Sequence, residues 1–215
     1  CVSPRVLSNG VCSSPIQASL LTDTGISTSQ CYQVGSDVLV SCNSAEAISL
    51  NAQQDGMLGR DMSNPSSADG KLGFSFSTVG ANTIEECVKD NITGLTWEGK
   101  TAIGLRQGNQ LYTNLENGQA GDASAYINAV NSLALCGYND WRLPSEHELQ
   151  SLVDYGMTGG TTIDVTWFPN TPSSNGYWSS TQYVNNANIA VLVGASDGAV
   201  LPSSRSSGSR VRLVR

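Results

Sequence analysis

Few side chains in this sequence are suited to bond-making chemistry. His147 is the only histidine, and it stands between two acids in Glu146-His147-Glu148. Hydrolysis through a nucleophile needs a base beside it and a third group to orient that base. The flanking glutamates occupy helical positions that point apart, so they do not converge on one reacting atom. We read no nucleophile elbow, no H-E-x-x-H helix and no phosphate-binding loop. Nothing points to paired-carboxylate glycoside chemistry either. Asp55, Asp61 and Asp69 lack the regular ligand spacing of a calcium loop and read as solvated turn acids. The expectation is a protein that is not an enzyme, with no catalytic residue, no metal and no cofactor.

What remains is recognition chemistry near the end of the chain. Gln182, Tyr183, Asn185, Asn186 and Asn188 make one small polar segment, and Ser203, Ser204, Arg205, Ser207, Ser209 and Arg210 make another. Amides, hydroxyls and arginine forks are what sugar hydroxyls, sulfates and carboxylates need. The net charge is −7, yet Asp197 is the last acid, and only Arg205, Arg210, Arg212 and Arg215 follow it. A chain that is acidic in bulk does not hold nucleic acid or anionic membranes non-specifically, while a basic end can receive an anion locally. A glycan or a surface protein is therefore the expected ligand, and these two segments the expected site.

Six cysteines, an even number with no C-x-x-C and one histidine, argue for disulfides in an oxidising compartment and against zinc. Two identical C-x10-C intervals suggest the pairs Cys1–Cys12 and Cys31–Cys42, which leaves Cys87–Cys136 as a long-range staple. A lipidated Cys1 is the rival reading, and it would send Cys12 to another partner. With 39% apolar residues, 13% charged residues and 22 glycines, the composition is that of a loop-rich extracellular protein with a real core. No apolar run approaches the roughly 18 residues of a membrane helix. The first residue is Cys1, and we expect a leader or upstream region to have preceded it.

The elements that must position these groups follow from local patterns. Residues 1–19 read as a disulfide-clipped linker or stalk end, and 20–215 as one domain. Residues 20–80 look poor in helix: Asp37–Cys42 reads as a strand, Asp55-Gly56 and Asp69-Gly70 as turns, and Leu72, Phe74 and Phe76 alternate as in a half-buried strand. Cys87 to Glu98 reads as strand, turn, strand, and Asn91-Ile92-Thr93 inside it has the spacing of a glycosylation sequon. Residues 100–120 show no period. Asp122 can cap a helix running to about Leu135, with Tyr126, Ile127, Val130, Leu133 and Ala134 facing inward and Gly137 ending it. Ser145 and Glu148 have the capping-box spacing, and Leu149, Leu152 and Val153 supply the buried stripe of the helix they open. Trp141 is sized to plug a core, and Arg142 can lie over it or pair with a carboxylate. Tyr177 and Trp178 belong to a strand with aromatics on opposite faces. Ser196-Asp197-Gly198 reads as the turn of a hairpin, and Val211–Arg215 as an alternating final strand.

The stretch Gly137-Tyr138-Asn139-Asp140-Trp141-Arg142-Leu143-Pro144-Ser145-Glu146-His147-Glu148-Leu149 resembles the signature of the Legionella collagen-like protein C-terminal domain family. Asp90 to Trp97, Tyr177 to Thr181 and Val211 to Arg215 carry further landmarks, and with Gln54-Asp55-Gly56 they extend the resemblance from about Thr22 to the last residue. The same stretch is similar, more distantly, to formylglycine-generating-enzyme-like proteins, whose redox cysteines near the C-terminus have no counterpart after Cys136. The resemblance implies an α+β, C-type-lectin-like fold with two main helices around small antiparallel sheets, displayed on the bacterial surface for adhesion. It implies sulfated glycosaminoglycan binding and trimeric assembly in some members. It also implies that residues 182–210 occupy a segment that is diversified in relatives served by diversity-generating retroelements. Relatives often carry Tyr where this chain has Ser207 and Ser209. A secreted or surface-displayed binding domain is the expected function, and a structural subunit of a surface fibre the alternative.

Overall fold

A computed structural model of the chain describes residues 6–8, 11–13, 23–63, 66–71, 73–157 and 159–215. The expected Cys1–Cys12 bond lies outside the described residues. Near the start, β1 (Val6–Ser8) pairs antiparallel with β2 (Val11–Ser13).

The next lobe is built on the disulfide Cys31–Cys42, which joins β3 (Cys31–Gln33) to the end of β4 (Ser36–Val40). It holds more helix than its sequence suggests: α1 (Ala45–Leu50), α2 (Asp55–Leu58) and α3 (Arg60–Ser63). Asp55-Gly56, expected as a turn, opens α2. These helices are one or two turns long and α1 buries only Ala47, so no apolar stripe announces them; the Ser44 hydroxyl accepting from Ala47 N–H at 3.1 Å is the main local signal.

A second sheet has the order β5 (Phe76–Thr78), β6 (Cys87–Asp90), β7 (Thr96–Glu98), all antiparallel. The strand expected around Phe74 and Phe76 is shorter than its alternation implied, because Phe74, Ser75 and Phe76 are buried in succession. Leu72 lies outside the described residues. The disulfide Cys87–Cys136 ties β6 to the end of α4 (Ala123–Ser132). Asp122 caps α4 as expected, accepting from Ser124 N–H at 3.0 Å. The helix stops before its predicted end, and Leu133 and Ala134, expected inside, are exposed. Ala134 (φ 48°) and Cys136 (φ 55°) are left-handed, and this double reversal turns Leu135 into the core and Cys136 toward Cys87.

The capping box of α5 (Glu146–Gln150) is present, with Glu148 N–H donating to Ser145 Oγ at 3.2 Å and Ser145 N–H donating to Glu148 Oε2 at 2.7 Å. Leu149, Leu152 and Val153 are buried, although only Leu149 lies within the helix. Arg142 takes the carboxylate partner: its two terminal nitrogens donate to Glu148 at 2.7 and 2.8 Å.

The third sheet, ordered β10 (Val200–Ser204), β9 (Ile189–Gly194), β8 (Gly176–Gln182), divides the core. Tyr177 and Val193 join a cluster with Phe168, Leu149 and Val214; Trp178, Ala190 and Leu192 join another with Tyr126, Val130, Trp141 and Leu213. The final residues, expected as a strand, make only isolated bridges, and their side chains alternate between two buried clusters instead of core and solvent. Val211 and Leu213 face one, and Val214 the other. They run between β7 and Arg142: Glu98 N–H donates to Leu213 O at 2.9 Å, and Val214 exchanges backbone bonds with Arg142 at 2.9 and 3.0 Å. Three tryptophans, Trp97, Trp141 and Trp178, are fully buried around this segment, so the apolar area that holds the domain together is concentrated there. The architecture is α+β, loop-rich and stapled by disulfides. No helix among the described residues is long and apolar enough to cross a membrane.

Candidate functional site

The turn between β8 and β9 and the segment after β10 lie at the same end of the third sheet, because β10 runs antiparallel back along β9. The register continues past the strand ends: Arg205 N–H donates to Asn188 O at 2.9 Å. Local bonds set each segment. Asn186 Oδ1 accepts from Asn188 N–H at 2.9 Å, Ile189 N–H donates to Asn186 O at 3.1 Å, and Ser207 N–H donates to Ser204 O at 2.9 Å. The result is a depression of about 320 Å³ lined by Gln182, Tyr183, Val184, Ala187, Ile189 and Arg205.

Gln182, Tyr183, Asn185, Asn186, Asn188, Ser204 and Ser207 are exposed around this end, and Ser203 and Arg205 are half-buried. Ser209 and Arg210 are not brought to it. Ser209 exchanges backbone bonds with Tyr112 at 2.8 and 3.0 Å and is 4% exposed. Arg210 pairs with β8 through Gly176 O and Trp178 N–H, is 5% exposed, and sends Nη2 to Ser174 Oγ at 3.2 Å. Both are interior residues, Ser209 against Tyr112 and Arg210 beside β8. The apolar lining from Val184, Ala187 and Ile189 was missed from sequence because single apolar residues in a polar run carry no period. Glu116 and Asn114 were missed too: they come from the aperiodic 100–120 loop, whose Asn114 N–H donates to Arg205 O at 2.8 Å.

The basic end of the chain is not a basic surface. Arg205 Nη1 donates to Glu116 Oε1 at 2.8 Å and Asn114 O at 2.9 Å. Arg212 is fully buried, donating to Glu98 O and Thr171 Oγ1 at 2.7 Å each and lying over the Phe168 and Tyr177 rings. Arg215 bonds Asp140 at 2.7 Å and covers the Tyr138 ring.

Lys100 is buried and donates to Glu98 Oε2 and Tyr126 OH at 2.9 Å each, while the Tyr126 hydroxyl donates to Glu98 Oε1. Burial lowers the Lys100 ammonium to about 8, against the pull of Glu98. Burial also pushes Tyr126 far up, with the Glu98 charge adding to it. His147 projects into solvent, its side chain 84% exposed, with Glu146 Oε1 at 3.8 Å. Glu148 is committed to the cap and to Arg142.

Two spacings with catalytic associations escaped the reading of the sequence. Gly94-Leu95-Thr96-Trp97-Glu98-Gly99-Lys100-Thr101 has G-x-x-x-x-G-K-T spacing, but its middle is β7, no helix follows it, and its lysine is buried against Glu98. Gly194-Ala195-Ser196-Asp197-Gly198 has G-x-S-x-G spacing, but it forms the β9–β10 hairpin turn, not a strand-to-helix elbow. Neither context cradles a phosphate or activates a serine.

Of the acids expected in solvated turns, Asp61 is 5% exposed beside Asp23, and burial followed by the Asp23 charge raises it. Asp69 is half-buried, accepting from Ser75 Oγ, and Asp55 accepts from Thr24 Oγ1. Among the described residues, no group of three or more His, Cys, Asp or Glu side chains is placed to hold a metal.

Fold and site together define an α+β, disulfide-stapled domain that gathers polar loops at one end of a small sheet. The family model described as the Lcl C-terminal domain matches residues 86–215, and the chain belongs to that family. The match takes in β6, the Trp141 to Leu149 stretch and the candidate site, and leaves the Cys31–Cys42 lobe outside. No curated protein matches the chain.

Proposed function

We propose that this is a non-enzymatic ligand-binding domain of a bacterial surface or secreted protein, with a C-type-lectin-like arrangement. Its ligand is a glycan, held at the end of the third sheet by Gln182, Tyr183 and the lining of the depression they share with Arg205, with Asn188 beside it. One observation carries this reading. Two polar segments, separate in sequence, are brought around one depression, and backbone bonds on both sides hold them there. Loops fixed by a rigid scaffold are where binding groups concentrate. The disulfides Cys31–Cys42 and Cys87–Cys136 are the kind formed outside a reducing cytosol, which supports display in an oxidising compartment.

The test is binding of the purified protein to an immobilised glycan panel, beside a Gln182→Ala/Tyr183→Ala variant with unchanged thermal stability. Binding that the double variant loses supports the reading. Binding that it keeps puts the site elsewhere on the domain. Absence of binding together with filaments in the electron microscope would replace it with the fibre-subunit reading.

A further inference from the structure

We infer that the ligand of this site is an uncharged saccharide and not a sulfated or otherwise anionic one. The inference rests on the binding reading above and adds to it the chemical class of the ligand.

The charge on the site's two segments comes first. Residues 182–189 and 203–208 contain one ionisable cation, Arg205, and no acid. That cation is already paired: Nη1 donates to Glu116 Oε1 and Asn114 O. Its side chain is 15% exposed whereas that of Glu116 is 68% exposed, so the more accessible member of the pair is the negative one. An approaching sulfate meets the carboxylate before the guanidinium.

The same holds for the cations that surround the site or share its end of the chain. Arg210 and Arg212 lie inside the domain, at 5% and 0% exposure, and Arg215 is paired with Asp140. Farther off, Arg142 is held by Glu148 and Lys71 by Asp154, at 2.7 and 3.0 Å. A polyanion is gripped by several unpaired cations at once, and its affinity then falls steeply with salt. Among the described residues, this end of the domain offers no such row.

What the depression does offer suits an uncharged sugar. Tyr183, Val184, Ala187 and Ile189 give an apolar wall, with Tyr183 at 38% and Val184 at 95% exposure. Gln182 stands at the same rim, and no hydrogen bond among the described residues engages its side chain. A pyranose has one face of C–H groups and an equator of hydroxyls. It matches an apolar wall edged by the Gln182 amide, beside a guanidinium already neutralised by Glu116.

The experiment uses matched pairs of oligosaccharides, neutral and sulfated, at low and high salt, with the wild-type chain and with Tyr183→Ala and Glu116→Gln. The expected result is binding of neutral members that changes less than about twofold with salt and falls about tenfold or more in Tyr183→Ala. Glu116→Gln, by releasing Arg205, is expected to add salt-sensitive binding of sulfated members. Wild-type binding confined to sulfated members and lost at high salt would overturn the inference while leaving the binding function standing. Binding to neither series would remove both.

Discussion

Arg205 and Glu116 are 89 residues apart in the chain, and their side chains meet at 2.8 Å beside the depression. The pair neutralises the one charge that the polar segments carry. Because it is partly solvated, its contribution to stability is about 1 kcal/mol or less. Glu116→Ala is expected to shift the thermal midpoint by no more than a few degrees, as read by circular dichroism, while making the end of the domain more positive. A large loss of stability would show that the pair supports the loop instead of tuning its charge.

Ser145→Ala removes one half of the capping box and is expected to cost about 1 kcal/mol in chemical denaturation. Glu148→Ala should cost more, because Glu148 also receives both terminal nitrogens of Arg142. Arg142 in turn holds Val214 by two backbone bonds, so the loss reaches the final residues of the chain. Equal costs for the two variants would count against that coupling.

The Arg142 hydrogen bonds hold the Glu148 carboxyl below the usual range. A group lowered on folding adds stability above its unfolded value, which is lost as pH falls through the folded one. Wild-type stability is therefore expected to drop faster than that of Arg142→Met as the pH is lowered below about 4.3, the reference value for glutamate. Parallel curves for the two proteins in acid titrations would contradict this.

At alkaline pH two buried groups act in opposite directions. Lys100, lowered to about 8, binds fewer protons folded than unfolded above that pH, so its contribution rises from about 8 toward its unfolded value. Tyr126, raised by burial, keeps its proton after the unfolded chain begins to lose it near about 10. Urea titrations should therefore show a gain in stability from pH 8 toward pH 10 and a decline beyond it. Tyr126→Phe should weaken the decline, and a flat profile across the whole range would exclude both contributions.

The two disulfides should not be equivalent. In the chain-entropy picture a bond closing 49 residues contributes about 4 kcal/mol and one closing 11 about 3 kcal/mol. Location separates them further: Cys87 lies in a main core cluster, while Cys31 and Cys42 share a small one with Ala47. Cys87→Ser/Cys136→Ser is expected to lower the main unfolding transition. Cys31→Ser/Cys42→Ser should leave it nearly in place and raise amide exchange in residues 31–50. The reverse pattern would mean that the small lobe stabilises the rest.

Much of the fold was written in local sequence. Ser145 and Glu148 announce a helix start because a capping box is satisfied within one turn. Ser196-Asp197-Gly198 announces a hairpin because the turn alone demands a positive φ, which Gly198 supplies at 68°. The equal cysteine intervals anticipated Cys31–Cys42, and the remaining pair followed. Tyr177 and Trp178 were placed on opposite faces by the two-residue period of a strand. The early end of α4 was hidden, since neither Ala134 nor Cys136 is a residue type that advertises a left-handed conformation.

What the tertiary structure decided was the fate of the arginines. In sequence, Arg205, Arg210, Arg212 and Arg215 form one basic tail. In the fold, Arg205 finds Glu116, Arg210 and Arg212 go inside, and Arg215 finds Asp140, 75 residues away. Alternation along the final segment turns Arg212 inward with Val214, and the surfaces that receive these side chains come from remote parts of the chain. Charge along a sequence is a local property; the potential at a surface depends on which charges meet across the fold and which are buried.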